Sequence, residues 1–295
     1  MTQDALKKVT GSVNAQAESV NEQTLPPYSV VMSIYVKDVP EWFEQAVDSM
    51  LTQTFPPDEI IIVQDGPVSR ELHERLEAYV REKPEQIRSI VFEENRGLAE
   101  AMCVGIRASR NEWIARMDSD DISDPRRCER ELRKALEVGA DIVGCDSEEF
   151  IGTIDNGMSK RVFPESHEEL IRFSKHRVPF CHPSVMMKKS AVLRAGNYRS
   201  VGLVEDYDLF VRMLAVGAVG CTVKEILFHV RVNTDFYNRR GGWAYVRTLL
   251  NFNVELLKMK WMSPADFVVR SCGNILLGMA PVAVRTWLYR RMLRK

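Results

Sequence analysis

Short apolar runs and segments of helical periodicity alternate along residues 28–146. The apolar runs predict buried strands, which we place at 30–35, 59–63, 88–92, 112–117 and 142–145. Apolar positions at helical spacing predict the intervening helices, the first through Phe43 and Leu51 and the others at about 69–82, 98–109 and 125–138. Strands that alternate with helices predict a parallel sheet with right-handed crossovers and helices on both faces.

The ends of the first helix carry recognisable signals, and the pattern loosens after residue 146. Asp38 and Glu41 resemble a capping box, Pro40 suits the first turn, and Pro56 follows the helix. Further along, the pattern predicts irregular strands and short helices over 147–200, a helix from Glu205 to about Ala215, a strand at 219–230 and helices from Gly242 onward.

Composition and charge exclude several classes of protein. The chain has 295 residues and a formal net charge of −1, which argues against a non-specific nucleic-acid binder. The six cysteines are scattered without a Cys-x-x-Cys pair, so neither a zinc ribbon nor a disulfide framework is indicated, and a reducing cytoplasm suits them. Residues 1–27 are polar and lack the apolar core of a signal peptide, and we interpret them as a mobile tail.

An acidic cluster follows the predicted strand at 112–117. Asp118, Asp120 and Asp121 place three carboxylates within four residues, and their mutual repulsion would be relieved by a hard divalent cation such as Mg²⁺ or Mn²⁺. The alternative is a turn and helix N-cap, because Pro125 follows and acidic residues favour helix starts. On these residues alone, the two interpretations stand about equal.

Two other strand ends carry polar residues that suit a nucleotide, since ligands of such folds bind at the carboxyl ends of strands. Asp65 would accept a hydrogen bond from a nucleobase imide, with the Ser33 hydroxyl facing the same base; alternatively, Asp65 only forms a turn with the next glycine. Asn95, Arg96 and Gly97 offer a turn, a cation and a helix N-terminus near a diphosphate, or a plain helix start.

Acidic and basic residues later in the chain are further candidates. Glu205 and Asp206 open a helix, either as favourable first-turn acids or with one of them as a general base. His182 would place an imidazole beside the site, although a lone histidine is more often structural. Arg239 and Arg240 would screen a leaving diphosphate, or lie in a solvated turn.

The C-terminal segment has a membrane-surface pattern. Residues 271–284 are largely apolar but too short to span a bilayer. The following arginines and lysine alternate with apolar residues, which is typical of a basic amphipathic segment on an anionic membrane. The alternative is a helix docked on the domain. We expect peripheral membrane contact through 281–295.

Taken together and in order, these residues resemble glycosyltransferase family 2, which has the GT-A fold. The resemblance covers about residues 28–245 and is carried by an ordered set of motifs: Ser29 to Tyr35, Gln53-Thr54, Ile62 to Pro67, Asn95-x-Gly97-Leu98, Met117 to Ile122 with Pro125, His182-Pro-Ser, Gly196-x-Tyr198 and Glu205 to Leu209. Phe180 to Pro183 and Val230 to Arg240 add a narrower similarity to bacterial capsular and exopolysaccharide enzymes of the amylovoran biosynthesis kind.

The resemblance implies a division of the chain and an activity. It implies a nucleotide-sugar-binding half at 28–146, an acceptor-binding half at 147–245 and a helical, basic C-terminal segment at 246–295. The activity would be inverting transfer of a hexose from a nucleotide-sugar, with UDP as the expected nucleotide, to a lipid-linked saccharide. The enzyme would work in the cytoplasm at the inner face of the membrane.

The resemblance also implies a role for each matching residue. Asp65 would bind uracil, with Ser33 and Tyr35 nearby. In the Asp-x-Asp motif, Asp120 would coordinate Mn²⁺ or Mg²⁺, and Asp118, with Ser119 beside it, would contact the ribose or reach the metal through water. The general base would be Asp206, supported by Glu205.

The sequence departs from the family pattern at three positions and leaves two rival functions open. Gln64 replaces a frequent aspartate, Val36 a frequent asparagine and Cys103 a common asparagine. An Asp-x-Asp phosphatase is one rival, although that motif normally follows the first strand, whereas here three strands precede it. A non-catalytic nucleotide-binding or membrane scaffold of the same fold is the other.

Overall fold

A computed structural model describes residues 24–232 and 241–281. Within these residues nine strands form one sheet. The strands are β1 (Tyr28–Ile34), β2 (Glu59–Gln64), β3 (Ile87–Val91), β4 (Trp113–Asp118), β5 (Ile122–Ser123), β6 (Ile142–Phe150), β7 (Gly157–Arg161), β8 (Met186–Lys188) and β9 (Gly220–Arg231). Their order across the sheet is β3-β2-β1-β4-β8-β6-β9-β5, with β7 paired to β6.

Helices flank the sheet and continue beyond it. The α-helices in the described part of the chain are α1 (Pro40–Leu51), α2 (Arg70–Glu82), α3 (Leu98–Ala108), α4 (Arg127–Val138), α5 (His167–Ser174), α6 (Lys189–Arg194), α7 (Glu205–Ala215), α8 (Trp243–Lys258) and α9 (Pro264–Met279). A short 3₁₀ helix covers His182–Ser184. The predicted α/β alternation is therefore confirmed over residues 28–146.

The sheet is parallel where the sequence predicts it and mixed beyond. β3, β2, β1 and β4 are parallel neighbours. β8 is antiparallel to both β4 and β6, and β9 returns parallel to β6. The predicted strand at 142–145 continues to Phe150 because β9 and β7 supply backbone partners along it. The result is a mostly parallel sheet whose first four strands end at one edge.

Alternate residues of β1 pack into two separate cores. Val30 and Met32 face the core that contains Phe43 of α1, whereas Val31 faces the core beneath α3. The approach of α3 is close: a Cβ added to Gly105 would lie 2.5 Å from Cγ1 of Val31. This layering buries β1 almost completely and holds its carboxyl end at the centre of the sheet edge.

The predicted capping box at the start of α1 is wrong. The N-cap is Val39, no side-chain hydrogen bond caps the helix, and Pro40 occupies the first turn as expected. The carboxylate of Asp38 instead accepts hydrogen bonds from the backbone N–H of Tyr35 and the hydroxyl of Ser119. A distant partner has replaced the local one that the sequence pattern suggested.

The C-terminal helices form a hairpin against the end of the sheet domain. α8 and α9 are joined by five residues, and Tyr207 of α7 packs against Phe252 of α8 with ring centroids 4.9 Å apart. Among the described residues, no helix has the length and apolar character needed to cross a membrane. The basic positions of the 281–295 segment lie outside the described residues, as does most of the predicted N-terminal tail.

Candidate functional site

The turn after β4 gathers three carboxylates. One side-chain oxygen from each of Asp118, Asp120 and Asp121 lies within 4.8 Å of the other two. None of them caps a helix, because the turn leads into β5 and the N-cap of α4 is Arg126 without a side-chain cap. The helix N-cap interpretation of this cluster is therefore wrong, and the acidic turn needs another explanation.

Two carboxylates of this turn, those of Asp120 and Asp121, resist ionisation. Burial, reinforced by the charge of Asp118, raises the pKa of Asp120 to about 6. Burial and the charges of Asp120 and Asp118 raise the pKa of Asp121 well above its usual value. A divalent cation would remove this repulsion, and carboxylate oxygens are the ligands that Mg²⁺ and Mn²⁺ prefer. The donor set thus fits the predicted metal.

Four contacts fix the turn, one within β4 and three from elsewhere in the fold. Arg116, fully buried in β4, forms an ion pair with Asp118. Arg231, at the end of β9, makes two of these contacts. Its backbone N–H donates to Oδ1 of Asp121 at 2.8 Å, and its side-chain Nε donates to the carbonyl of Asp120 at 2.8 Å. The hydroxyl of Ser119 donates to Asp38 at 2.8 Å. These contacts preorganise the acidic side chains before any ligand binds.

Asp65 organises the loop that precedes α3. Its Oδ1 accepts a 2.6 Å hydrogen bond from the backbone N–H of Arg96, and its Oδ2 accepts from the N–H of Gly97 and from Nδ2 of Asn95, both at 2.9 Å. Gly66 lies against this loop with φ +84°, and a Cβ there would be 2.6 Å from the Asn95 nitrogen. Asp65, Asn95 and Arg96 therefore form one hydrogen-bonded unit.

Ser33 lies between the acidic turn after β4 and the end of β2, which Asp65 follows. It pairs with Val63 of β2 on one side and with Asp118 of β4 on the other. Tyr35, two residues further on, donates its N–H to Asp38, which also accepts a hydrogen bond from Ser119 of the acidic turn. The carboxyl ends of β1, β2 and β4 thus bring together most of the predicted nucleotide-binding residues.

The three acidic residues in the first turn of α7 differ in their burial. Asp208 is buried and accepts hydrogen bonds from Arg199 Nε at 3.0 Å and Arg212 Nε at 2.8 Å. Asp206 and Glu205 are partly exposed, and burial raises the pKa of Glu205. Oδ1 of Asp206 accepts the N–H of Tyr207 at 2.7 Å. Asp208 is a structural acid, which leaves Asp206 and Glu205 as candidates for proton transfer.

Tyr198 is a buried phenol under the influence of acids from two elements. Burial raises its pKa, and the negative charges of Asp206, Asp118 and Glu205 also raise it. Its hydroxyl is 2.7 Å from Nε2 of His182. The phenol is therefore under electrostatic influence from both the acidic turn and the start of α7.

His182 is a neutral group in this site. Burial and the positive charge of Arg116 hold the pKa of its imidazole well below the usual value. It is therefore uncharged at neutral pH and contributes a hydrogen bond rather than a cation. The cationic residues Arg239 and Arg240, predicted to contact the same region, lie outside the described residues.

Sequence reasoning missed three residues that shape the site: Asp38, Arg116 and Arg231. A signal existed for Arg116, because residues two apart in a strand share a face and Asp118 follows it by two. Asp38 contacts Ser119, 81 residues away, and Arg231 contacts Asp121, 110 residues away. No local pattern reveals such contacts.

The geometry defines the class of protein, and comparisons with known proteins define the family. A parallel sheet that gathers acids and a helix N-terminus at its carboxyl edge is typical of α/β enzymes that bind nucleotides. The family model described as Glycosyl transferase family 2 matches residues 29–195. The chain therefore belongs to glycosyltransferase family 2, and it is a glycosyltransferase.

Two curated relatives match almost end to end. The UDP-Gal:alpha-D-GlcNAc-diphosphoundecaprenol beta-1,3-galactosyltransferase of Escherichia coli is 32% identical over 92% of this chain and 98% of its own length. The amylovoran biosynthesis glycosyltransferase AmsE of Erwinia amylovora is 30% identical over 90% of this chain and 98% of its own. The predicted resemblance is thereby confirmed.

Solved structures confirm the GT-A fold. S. aureus TarS 1-349 in complex with UDP-GlcNAc superposes with a TM-score of 0.66 at 13% identity, over 90% of this chain and 76% of that one. The mannosyltransferase PcManGT from Pyrobaculum calidifontis, in complex with GDP-Man and Mn²⁺, gives a TM-score of 0.60 at 14% identity, over 92% and 76%.

Proposed function

We propose that the enzyme transfers a hexose from a UDP-sugar to a hydroxyl of a lipid-diphosphate-linked saccharide, with inversion at the anomeric carbon. The observation that carries this proposal is the set of three carboxylates gathered at the carboxyl edge of the sheet, together with the partly exposed acids Asp206 and Glu205 at the start of α7. A metal-diphosphate site beside a carboxylate base is the arrangement that direct displacement at a sugar carbon needs. Relatives that transfer sugars in polysaccharide assembly support it.

In this proposal the donor binds across the carboxyl ends of β1, β2 and β4. Asp65 and Ser33 contact the uracil, Tyr35 and Ser119 lie beside them, and the loop of Asn95 and Arg96 approaches the diphosphate. The start of α3 supports this assignment, because its N-cap residue, Gly97, has no side chain to cover the helix N-terminus. Residues 28–146 would form the donor half and 147–245 the acceptor half, although the division falls inside β6.

Asp118 and Asp120 would hold Mn²⁺ or Mg²⁺ in this account. When bound, the metal supplies positive charge that stabilises the leaving diphosphate. The protein itself holds the two residues in place. Arg116 forms an ion pair with Asp118, and Arg231 donates a hydrogen bond to the backbone carbonyl of Asp120.

Asp206 would remove the proton from the acceptor hydroxyl as that oxygen attacks the anomeric carbon. Glu205 would support it by adding negative charge beside the base. Asp208 is excluded from this role because two arginines occupy its carboxylate. His182 would contact the acceptor or the diphosphate as a neutral hydrogen-bonding group.

The acceptor assignment follows from the chemistry of the relatives and of the C-terminal sequence. The E. coli relative is named for an acceptor linked to diphosphoundecaprenol. Residues 281–295 contain five cations and no acidic residue, a composition that suits contact with an anionic membrane. We propose that the enzyme works at the cytoplasmic face of the inner membrane, in capsule, exopolysaccharide or lipopolysaccharide assembly.

A panel of UDP- and GDP-sugars with Mn²⁺, scored for released nucleotide, tests the proposal. We expect one UDP-hexose to be used by the wild type, and Asp120→Ala and Asp206→Asn to abolish its use. Asp124→Asn is the matched control, because Asp124 is an acid near the turn whose carboxylate pairs only with Arg126 in the described contacts. If the wild type neither releases nucleotide from a UDP-sugar nor binds UDP with Mn²⁺, the proposed UDP-sugar donor is wrong.

A further inference from the structure

The outward face of α9 is apolar along the whole helix. After Pro264, its exposed side chains are Ala265, Val268, Val269, Cys272, Ile275, Leu276 and Met279, which recur at helical spacing. Val269 and Leu276 are 72% and 73% exposed. We name these seven residues the α9 stripe. Within this fully described helix, no charged residue belongs to the exposed set.

The inward face of the same helix carries its polar residues. Nη1 of Arg270 donates to the carbonyl of Lys175 at 2.9 Å and to the hydroxyl of Tyr207 at 2.5 Å. Ser271 accepts from Nδ2 of Asn253 in α8 at 3.1 Å. A surface helix in water normally shows the opposite arrangement, with apolar residues inward. The polarity of α9 is therefore inverted relative to an aqueous surface.

The neighbouring helix provides the contrast. Beyond its first turn, the outward face of α8 carries Arg247, Asn251, Glu255 and Lys258, with one exposed valine at 254. α9 packs on α8 through a small residue: a Cβ on Gly278 would lie 2.3 Å from Cγ2 of Val246. Small residues and polar side chains at the helix interface are features of helices that face lipid. Only α9 of this hairpin is built to contact an apolar environment.

We propose that the α9 stripe lies in the headgroup and acyl-chain boundary of an anionic bilayer. The helix has 16 residues and is about 24 Å long, shorter than the roughly 30 Å hydrocarbon core, and it is apolar on one side only. It therefore lies along the membrane surface rather than across it. This inference deepens the proposed function, because it concerns the surface on which a lipid-linked acceptor resides.

Charge favours lipid over a second copy of this chain as the partner. The sequence that follows the stripe, 282–295, contains five cations, together with Trp287 and Tyr289, and no acid. An anionic lipid surface attracts such a cationic segment, whereas a second copy of this chain, with a formal net charge of −1, offers it little net attraction. Aromatic residues beside cations also suit the interface of a membrane.

The helix that carries the stripe, α9, contacts the helix that carries the proposed base, α7. Arg270 stacks on the ring of Tyr207 at 4.7 Å from its centroid, in addition to the hydrogen bond with its hydroxyl. Tyr207 directly follows Asp206 in the first turn of α7. Docking α9 on a bilayer would therefore hold the Asp206 helix at a fixed position relative to the lipid surface.

Sedimentation with sucrose-loaded vesicles tests the inference without any sugar donor. Vesicles of phosphatidylethanolamine, phosphatidylglycerol and cardiolipin are mixed with the full chain, and the bound fraction is measured. We expect the double variant Val269→Asp, Leu276→Asp to bind at least tenfold more weakly than the wild type. Val254→Asp, on the polar face of α8, is the matched control and should bind within twofold of wild type. Equal binding by the double variant and the wild type would overturn the inference.

A spectroscopic probe provides a second readout that does not depend on loss of binding. Cys272 lies on the stripe and is exposed, whereas the other five cysteines are buried. A polarity-sensitive fluorophore on Cys272 should shift to the blue when these vesicles are added. The same fluorophore on the thiol introduced by Val254→Cys, in a protein that also carries Cys272→Ser, should not shift. A label at 272 that stays in water would contradict the inference.

Two further outcomes separate the alternatives. If the wild type is a dimer without lipid, and Val269→Asp, Leu276→Asp makes it monomeric while vesicle binding is unchanged, the stripe is a protein interface and the inference is wrong. If the stripe binds vesicles but no nucleotide-sugar is used by the enzyme, the inference stands and the proposed function fails.

Discussion

The hydroxyl of Ser119 donates a 2.8 Å hydrogen bond to the carboxylate of Asp38, which joins the acidic turn after β4 to the loop after β1. Asp38 also accepts the N–H of Tyr35 at 3.0 Å. One carboxylate thus connects the proposed metal ligands to the backbone of the proposed nucleotide site. Asp38, a residue outside the Asp-x-Asp motif, therefore helps to hold the acidic turn in place.

We expect Ser119→Ala to weaken metal binding. The substitution removes a hydrogen bond, which is worth about 0.5–1.5 kcal/mol, so the Mn²⁺ dissociation constant should rise by up to about tenfold. Titration of Mn²⁺ in the presence of UDP, followed by electron paramagnetic resonance, measures this. Ser119→Thr keeps the hydroxyl and should bind within a few-fold of wild type. An unchanged Mn²⁺ affinity in Ser119→Ala would show that the Asp38 contact does not organise the turn.

Asp65→Asn should loosen the loop at the start of α3 and weaken UDP binding. The carboxylate accepts from two backbone N–H groups, one on each oxygen. An amide at this position would turn a donor toward one of those N–H donors, which costs about 1–3 kcal/mol. We predict a lower melting temperature and a roughly tenfold higher UDP dissociation constant by calorimetry. Asn95→Ala removes one side-chain donor and should have a smaller effect on both, whereas a larger effect would contradict this assignment.

The buried acid Glu131 of α4 should make stability depend on pH. Burial, opposed by the charge of Arg127, raises its pKa to about 8 from an ordinary value of 4.5. The folded state therefore holds this proton more tightly than the unfolded state, and this contribution to the free energy of unfolding is lost as pH rises from about 5 through 8. Glu131→Gln imitates the protonated form. Its melting temperature relative to wild type should increase between about pH 5.5 and 8.5.

The control for this prediction lies two residues away. Glu129, in the same helix, has a lowered pKa because Thr54 and Arg133 donate hydrogen bonds to its carboxylate. It titrates below this pH window, so Glu129→Gln should show a constant difference from wild type across it. A flat difference for Glu131→Gln as well would mean that Glu131 is ionised in the folded protein at every pH tested.

The order of elements and most of the candidate site could be predicted because they depend on local sequence. β1 and β2 are largely apolar runs, Asp65 directly follows β2, and Asp118 is the last residue of β4. Parallel pairing then brings strand ends to one edge of the sheet, so these residues had to be neighbours.

The rest could not be predicted, because it depends on partners far along the chain. Asp38 fits a local capping pattern, yet its partner Ser119 is 81 residues away. Arg231 contacts the acidic turn from the end of β9, 110 residues beyond Asp121. The apolar character of α9 is visible in the sequence, but which face meets α8 is decided by packing at Gly278 and Ser271.

The central claim is that Asp206 acts as the base in a site whose nucleotide is held by other residues, and one comparison tests it most directly. Transfer of hexose from the UDP-sugar to a GlcNAc-diphospho-lipid is followed in single turnover, alongside UDP binding with Mn²⁺, for wild type and Asp206→Asn. We predict that Asp206→Asn binds UDP within about twofold of wild type but transfers sugar about 10²–10⁴-fold more slowly, as expected for loss of a general base. Transfer by Asp206→Asn at the wild-type rate would contradict the account.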